Sequence, residues 1–191
     1  THLLLDQTQI QPGDITSIGL AYQMHGLVLL DKNKEVLRPS IIWCDGRAIQ
    51  FGNEAFEKIG SDKCISRLLN SPGNFTAAKL AWVKRHEPEI FKRVHKIMLP
   101  GDYIGCKMTD EIFTTSAGLS EGIFWDFEAD KPADFLLDYF QFDQNILPDL
   151  APVFGFQGEL TSKAAGELGL QPGTRVLYRA GDQPNNAMSL G

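Results

Sequence analysis

Two short segments of this chain combine residue types that can do chemistry. In Gly181-Asp182-Gln183-Pro184 an acidic side chain follows directly on Arg175 to Ala180, an apolar, β-prone run that predicts a strand. Asp182 would then sit just beyond a strand's carboxyl end, where α/β folds commonly place their chemistry, and it is the first candidate for a functional residue. In Gln23-Met24-His25-Gly26 an amide, a soft apolar surface and an imidazole share a strand-to-turn corner, a set suited to a polyhydroxylated ligand. Taken alone, this second segment reads more readily as a histidine bonded locally beside a structural glycine.

Metal chemistry has no comparable pattern. Cys44, Cys64 and Cys106 are far apart and lack C-x-x-C spacing, so they suggest neither a disulfide framework nor a zinc site. His2, His25, His86 and His95 lack the i,i+4 pairing of a helical metal site. No protein-held metal is expected, and the unpaired cysteines suit a reducing cytoplasm.

The elements that must position these residues follow from the apolar pattern. Ile15 to Gln23 and Leu27 to Asp31 read as strands, and Val36 to Trp43 returns as an extended run with Pro39 inside it, which predicts a three-strand antiparallel meander. Helical spacing recurs over Gly46 to Ile59, and Thr76 is placed to cap a second helix, with another beginning near Pro88. His95 to Leu99 predicts a short strand, Asp102 to Met108 a helix, and Pro132 to Tyr139 an amphipathic helix. Ser162 is placed to cap a helix ending at Gly169, and the turn at Gln171-Pro172-Gly173 leads into the last strand. The class is mixed α/β, without repeats or a clean linker.

With 191 residues, 43% of them hydrophobic and 10% aromatic, the chain has material for one sizeable core. A formal charge of −6 argues against nucleic acid, whose phosphates call for clustered Lys and Arg. The amino-terminal apolar cluster Leu3-Leu4-Leu5 is broken at once by Asp6, so neither a signal peptide nor a membrane span is expected.

The stretch from Ile18 to Arg47, IGLAYQMHGLVLLDKNKEVLRPSIIWCDGR, closely resembles the Q-M-H-G, hairpin and W-x-D-x-R block of xylulokinases in the FGGY carbohydrate kinase family. Phe75 to Val83 is similar to that family's F-T-x-x-K-L-x-W signature, Leu99-Pro100-Gly101-Asp102-Tyr103 to its L-P-x-D-Y segment, and Ala180-Gly181-Asp182-Gln183 to its G-G-D-N or G-D-Q turn. The resemblance spans essentially the whole chain.

It implies an actin-like, ribonuclease H-like α/β fold and ATP-dependent phosphorylation of D-xylulose to xylulose 5-phosphate, with Mg2+ carried in by the nucleotide. Asp182 would act as the base that takes the proton from the attacking hydroxyl. Gln183 would hold a neighbouring hydroxyl, His25 and the backbone around Met24 would contact other sugar oxygens, and Trp43 would offer an apolar face. Asn74 either reaches a sugar hydroxyl or simply occupies the Pro72-Gly73-Asn74 turn. Asp45 and Arg47 read as an ion pair beneath the site, Lys79 as a brace, Trp82 as core, and His86, His95 and His2 as solvated. Asp102 reads as a cap for a helix beginning at Tyr103.

Departures from the family pattern are Tyr22 where many relatives have glycine, Thr115 in place of a common aspartate, and Gln183, a choice shared with glycerol kinases. The family's D-x-G-T phosphate-binding hairpin and its second, ATP-binding domain are not found in residues 1–191, which read as a partial N-terminal sugar-binding domain. The isolated chain is therefore expected to be inactive, with an unpaired sheet edge that favours self-association. Another ketose, a pentitol or glycerol is the alternative substrate, and a non-catalytic sugar-binding or assembly module the alternative function. The expected partners are the sugar and ATP, with no membrane or nucleic acid, and a homodimer is left open.

Overall fold

In the computed structural model, which describes residues 1–190, short strands alternate with helices. The first half contains α1 (His2–Thr8), β1 (Ser17–Tyr22), β2 (Val28–Leu30), α2 (Ile49–Ile59), α3 (Ser61–Leu68), α4 (Thr76–His86) and α5 (Pro88–Phe91). The second contains β3 (Lys96–Met98), α6 (Pro100–Thr109), β4 (Phe113–Thr114), α7 (Ser116–Glu121), β5 (Trp125–Asp126) and β6 (Lys131–Pro132). It continues with α8 (Asp134–Phe140), β7 (Asp149–Leu150), α9 (Ser162–Leu168), β8 (Arg175–Gly181) and α10 (Asp182–Met188).

The expected meander does not form. β1 pairs in parallel with β8, from Ser17 opposite Arg175 to Tyr22 opposite Gly181. β2 turns away and pairs antiparallel with β3, while the following run touches β2 only through the isolated bridges Val36–Leu30 and Ile41–Leu27. The burial patterns give the reason. All three β2 residues are buried, so this strand needs cover on both faces, whereas β1 alternates exposed and half-buried positions. Among the described residues no strand pairs with the other edge of β1.

The main apolar core gathers Leu80 and Val83 of α4, Leu119 of α7, Phe124, and Leu136 and Leu137 of α8 around β2 and β3. A smaller one, with Met108, Leu160, Ala165 and Val176, packs α6 and α9 beneath the parallel pair. Between β8 and α6 lies an ion pair with both side chains fully buried: Arg179 Nη1 is 3.3 Å from Asp102 Oδ1. Arg179 also donates from Nε to Gln157 Oε1 at 2.6 Å and from Nη1 to the Phe113 carbonyl at 3.1 Å. Asp102 is not the N-cap in front of Tyr103: the helix begins three residues before Tyr103, at Pro100, and Asp102, at its third position, reaches back to accept the Leu99 N–H at 3.3 Å.

Two further caps differ from expectation. Thr76 is already helical, and its hydroxyl donates to the Gly26 carbonyl at 3.2 Å, tying α4 to the corner after β1. The cap of α9 is Thr161, whose hydroxyl accepts the Ala164 N–H at 3.2 Å. Helices α1, α3, α7 and α10 have no counterpart in the elements read from the apolar pattern. α10 runs through Pro184, which costs no helical hydrogen bond because it lies in the first turn. Among the described residues, no helix is long and apolar enough to cross a membrane.

Candidate functional site

Parallel pairing of β1 with β8 brings two carboxyl-terminal strand ends side by side, since Tyr22 stands opposite Gly181. The chain leaves one strand as Gln23-Met24-His25 and the other as Asp182-Gln183. Between them, with Trp43 closing one side, is a cavity of about 220 Å3 lined by Gln23, Met24, His25, Trp43, Asp182 and Gln183. The fold thus gathers Met24, His25, Trp43, Asp182 and Gln183 at one place, and adds Gln23 from the same corner. Asn74 does not line the cavity.

Gly181 makes this approach possible. A Cβ there would lie 2.3 Å from Met24 Cγ and 2.9 Å from Glu121 Cδ. Gly181→Ala should therefore lose about 1–3 kcal/mol through overpacking, as the turn is pushed off the Met24 corner. Urea unfolding checks this. An unchanged urea midpoint would mean that the turn does not depend on that contact.

His25 adopts the left-handed conformation, φ 63°, at the corner. Its Nδ1–H donates to the Glu121 carbonyl at 2.7 Å, and its ring meets Phe75 edge-on with centroids 4.3 Å apart. Burial holds its pKa below the usual 6.5, with the Lys79 charge adding to the effect and the Glu121 carbonyl and Asp182 opposing it. The neutral ring thereby presents Nε2 as an acceptor, suited to a hydroxyl.

The Trp43 loop is braced from below. Asn74 donates its amide to the Trp43 carbonyl at 3.2 Å and to the Asp45 carbonyl at 2.8 Å. The buried Lys79 ammonium donates to the Asn74 carbonyl, and burial pushes its pKa down to about 8. Asp45 accepts two bonds of 2.9 Å from Arg47 Nε, and Arg47 holds its carboxyl below the usual carboxylate range. The Arg47 guanidinium lies over Trp82 at 4.7 Å. Asn74 thus stands one step behind the cavity, as a support for Trp43, and the Asp45–Arg47 pair and the Lys79 brace are where the sequence put them. Trp82 packs at the edge of the core, and His86 is exposed but stacks on it, centroids 4.7 Å apart.

Asp182 is exposed to the cavity, and its Oδ2 accepts a long bond of 3.4 Å from the Gln183 amide. Asn185 fixes the turn by donating to the Ala180 and Gly181 carbonyls at 3.0 and 2.8 Å. Beneath it lies a residue that the sequence reading passed over. Glu121 Oε1 accepts the Gly181 N–H at 2.7 Å, and the side chain is buried. Burial raises its carboxyl to about 7, against the stabilising Gly181 N–H, and the Asp102 and Asp182 charges add to the rise. The Tyr22 hydroxyl lies near enough to favour the charged form, yet it and Glu121 Oε2 meet no partner at hydrogen-bond geometry. The available signal was an acid set between Leu119 and Ile123-Phe124, in a stretch too apolar to lie at the surface. Thr115 caps α7, accepting the Gly118 N–H at 3.0 Å.

Comparison with known proteins bears directly on this arrangement. The pattern of the FGGY family of carbohydrate kinases, N-terminal domain, matches residues 1–189. The chain belongs to this family. The xylulose kinase of Escherichia coli K12 is 35% identical over 187 residues, which cover 97% of this chain and 38% of that protein. The crystal structure of a xyloylose kinase from Brucella ovis matches with a TM-score of 0.81 at 30% identity, covering 95% of this chain and 37% of the other. That of a xylulose kinase from Rhodospirillum rubrum matches with a TM-score of 0.84 at 29% identity, covering 92% and 36%. The chain therefore spans a little over a third of the length of the relatives it matches. It represents part of the first domain of an FGGY kinase, with that domain's mixed α/β fold.

The family uses ATP. The cavity of about 220 Å3 is below the range of roughly 300–1,000 Å3 usual for drug-sized ligands, so its size suits a small molecule better than a whole nucleotide. Among the described residues no group of three or more His, Cys, Asp and Glu is placed to hold a metal ion.

Proposed function

We propose that the full-length protein is a cytoplasmic kinase that phosphorylates D-xylulose with ATP and Mg2+, and that residues 1–190 supply the sugar-binding half of its cleft. The observation that carries this reading is the single small cavity shared by Asp182-Gln183 and the Met24-His25 corner. A sugar hydroxyl is a poor nucleophile. A carboxylate within hydrogen-bond reach orients it and accepts its proton as the bond to phosphorus forms. Asp182 is exposed into the cavity and suits that role. The Gln183 amide, bonded to Asp182 Oδ2, presents its oxygen to a neighbouring hydroxyl. His25 accepts a further hydroxyl at Nε2, and Trp43, 59% exposed, offers a face to the carbon skeleton. Asn74 acts through Trp43, whose loop it holds.

The support for D-xylulose is the pattern of xylulose kinases among the relatives together with the Q-M-H-G corner. The test is ATP consumption by the full-length protein with D-xylulose, other ketoses, pentitols and glycerol. Turnover confined to D-xylulose is expected. Turnover on another polyol alone would keep the kinase and discard the sugar, and sugar binding without turnover on any of them would replace the kinase with a binding module.

A further inference from the structure

Glu121 touches both halves of the site without facing the cavity. Its backbone carbonyl takes the His25 Nδ1–H at 2.7 Å, and its carboxylate takes the Gly181 N–H at 2.7 Å, immediately before Asp182. One residue at the end of α7 therefore sets the imidazole on the sugar side and the turn on the base side. No surface residue could do this, because the two anchors meet only beneath the cavity floor, where Glu121 is 4% exposed.

From this geometry we infer that Glu121 is a positioning residue whose ionised carboxylate prepares Asp182 to receive the proton of the sugar hydroxyl. The inference rests on the proposed kinase reading and deepens it. In its charged form Glu121 makes a charge-assisted bond to the Gly181 N–H, which is stronger than a neutral one. It also places a second negative charge behind Asp182, so that a proton arriving from the hydroxyl enters a pair of interacting carboxylates. Protonation of Glu121 weakens the bond and removes the charge together.

The groups facing Glu121 are few. Tyr22 of β1 lies beside it, Asp102 of α6 lies behind and is paired with Arg179 of β8, and Tyr178 of β8, Asp182 of α10 and His25 complete the surroundings. Both tyrosines have pKa values raised by burial, and so stay neutral through the neutral range. Burial holds the His25 pKa below its usual value and raises that of Asp102. The Glu121 carboxyl, held at about 7, passes from protonated to ionised between pH 6 and pH 8 as the pH rises.

The experiment is the pH profile of kcat/KM for D-xylulose in the full-length protein and its Glu121→Gln and Asp182→Asn variants, with sugar affinity measured alongside. In the unsubstituted protein, kcat/KM should rise through a midpoint near 7. Gln keeps an acceptor for Gly181 but carries no charge. Glu121→Gln should therefore bind sugar normally, lose the step, and run about tenfold slower at pH 8, the size of one pK unit of charge interaction. A flat profile between pH 6 and pH 8 in the unsubstituted protein overturns the inference whether or not the variant folds, as does a step of the same midpoint surviving in Glu121→Gln. If the unsubstituted protein turns over no sugar, the kinase reading itself is lost, and if Asp182→Asn retains full turnover, Asp182 is not the base and this inference falls with that assignment. If only Asp182→Asn is impaired, that reading stands and this one does not.

Discussion

Replacing Asp182 by Asn in the full-length protein is expected to lower kcat for sugar phosphorylation by about 10²–10⁴-fold, the usual contribution of a positioned acid–base group. Asn keeps the size of the side chain and can still bond a hydroxyl, but it cannot take the proton, so KM should change little. Stability should barely move. Asp182 is exposed and makes only a long bond to Gln183, and its charge in the first turn of α10 adds a few tenths to about 1 kcal/mol through the helix dipole. Steady-state kinetics with D-xylulose, paired with a thermal melt, separate the two effects. Turnover within tenfold of the unsubstituted protein would remove Asp182 from the role of base.

The second large effect concerns the pair beneath the sheet. Arg179→Met should destabilise the protein by about 3–5 kcal/mol, the cost of leaving a buried partner charge without compensation. Asp102 would be that charge, since both side chains are fully buried and Arg179 Nη1 is 3.3 Å from its Oδ1. The same change also strips Gln157 and the Phe113 carbonyl of their donor. Against a total stability of about 5–15 kcal/mol, such a loss is severe. The double change Arg179→Met with Asp102→Leu should recover a large part of it, because an apolar pair can replace a buried ion pair at little cost. Urea midpoints of the single and double variants check this. A single variant as stable as the parent would show that Asp102 finds solvent or a proton elsewhere.

Much of the site was legible because its residues lie at positions that local pattern can mark. Asp182 follows a strongly β-prone run, and Gln23-Met24-His25-Gly26 breaks another. What local pattern could not mark was partnership. The nearest strand in sequence is the natural partner for Ile15 to Gln23, and the meander followed from that proximity; the true partner of β1 is β8, close to the other end of the chain. The same limit explains Glu121 and Asn74. The burial of an acid at the end of a six-residue helix, or the aim of an amide into a loop that begins thirty-odd positions away, depends on what packs against it. Thr76 shows a milder form, in which the helix start was read correctly but the hydroxyl serves a distant carbonyl instead of its own helix.

The pairing of β1 with β8 also fixes when the site can come into being. The helical core around α2, α4 and α8 is built from the middle of the chain, and its contacts can form as soon as those residues are made. The cavity cannot, because one wall follows β1 and the other follows β8. Contacts between such distant segments are slow to form, since the loop-closure entropy is lost before they repay it. On the ribosome, the Met24-His25 corner waits, with β1 lacking its partner, until Arg175 to Gly181 have emerged. The cavity is then among the last features this part of the protein acquires, and the interval before it is when the bare edge of β1 is open to wrong partners.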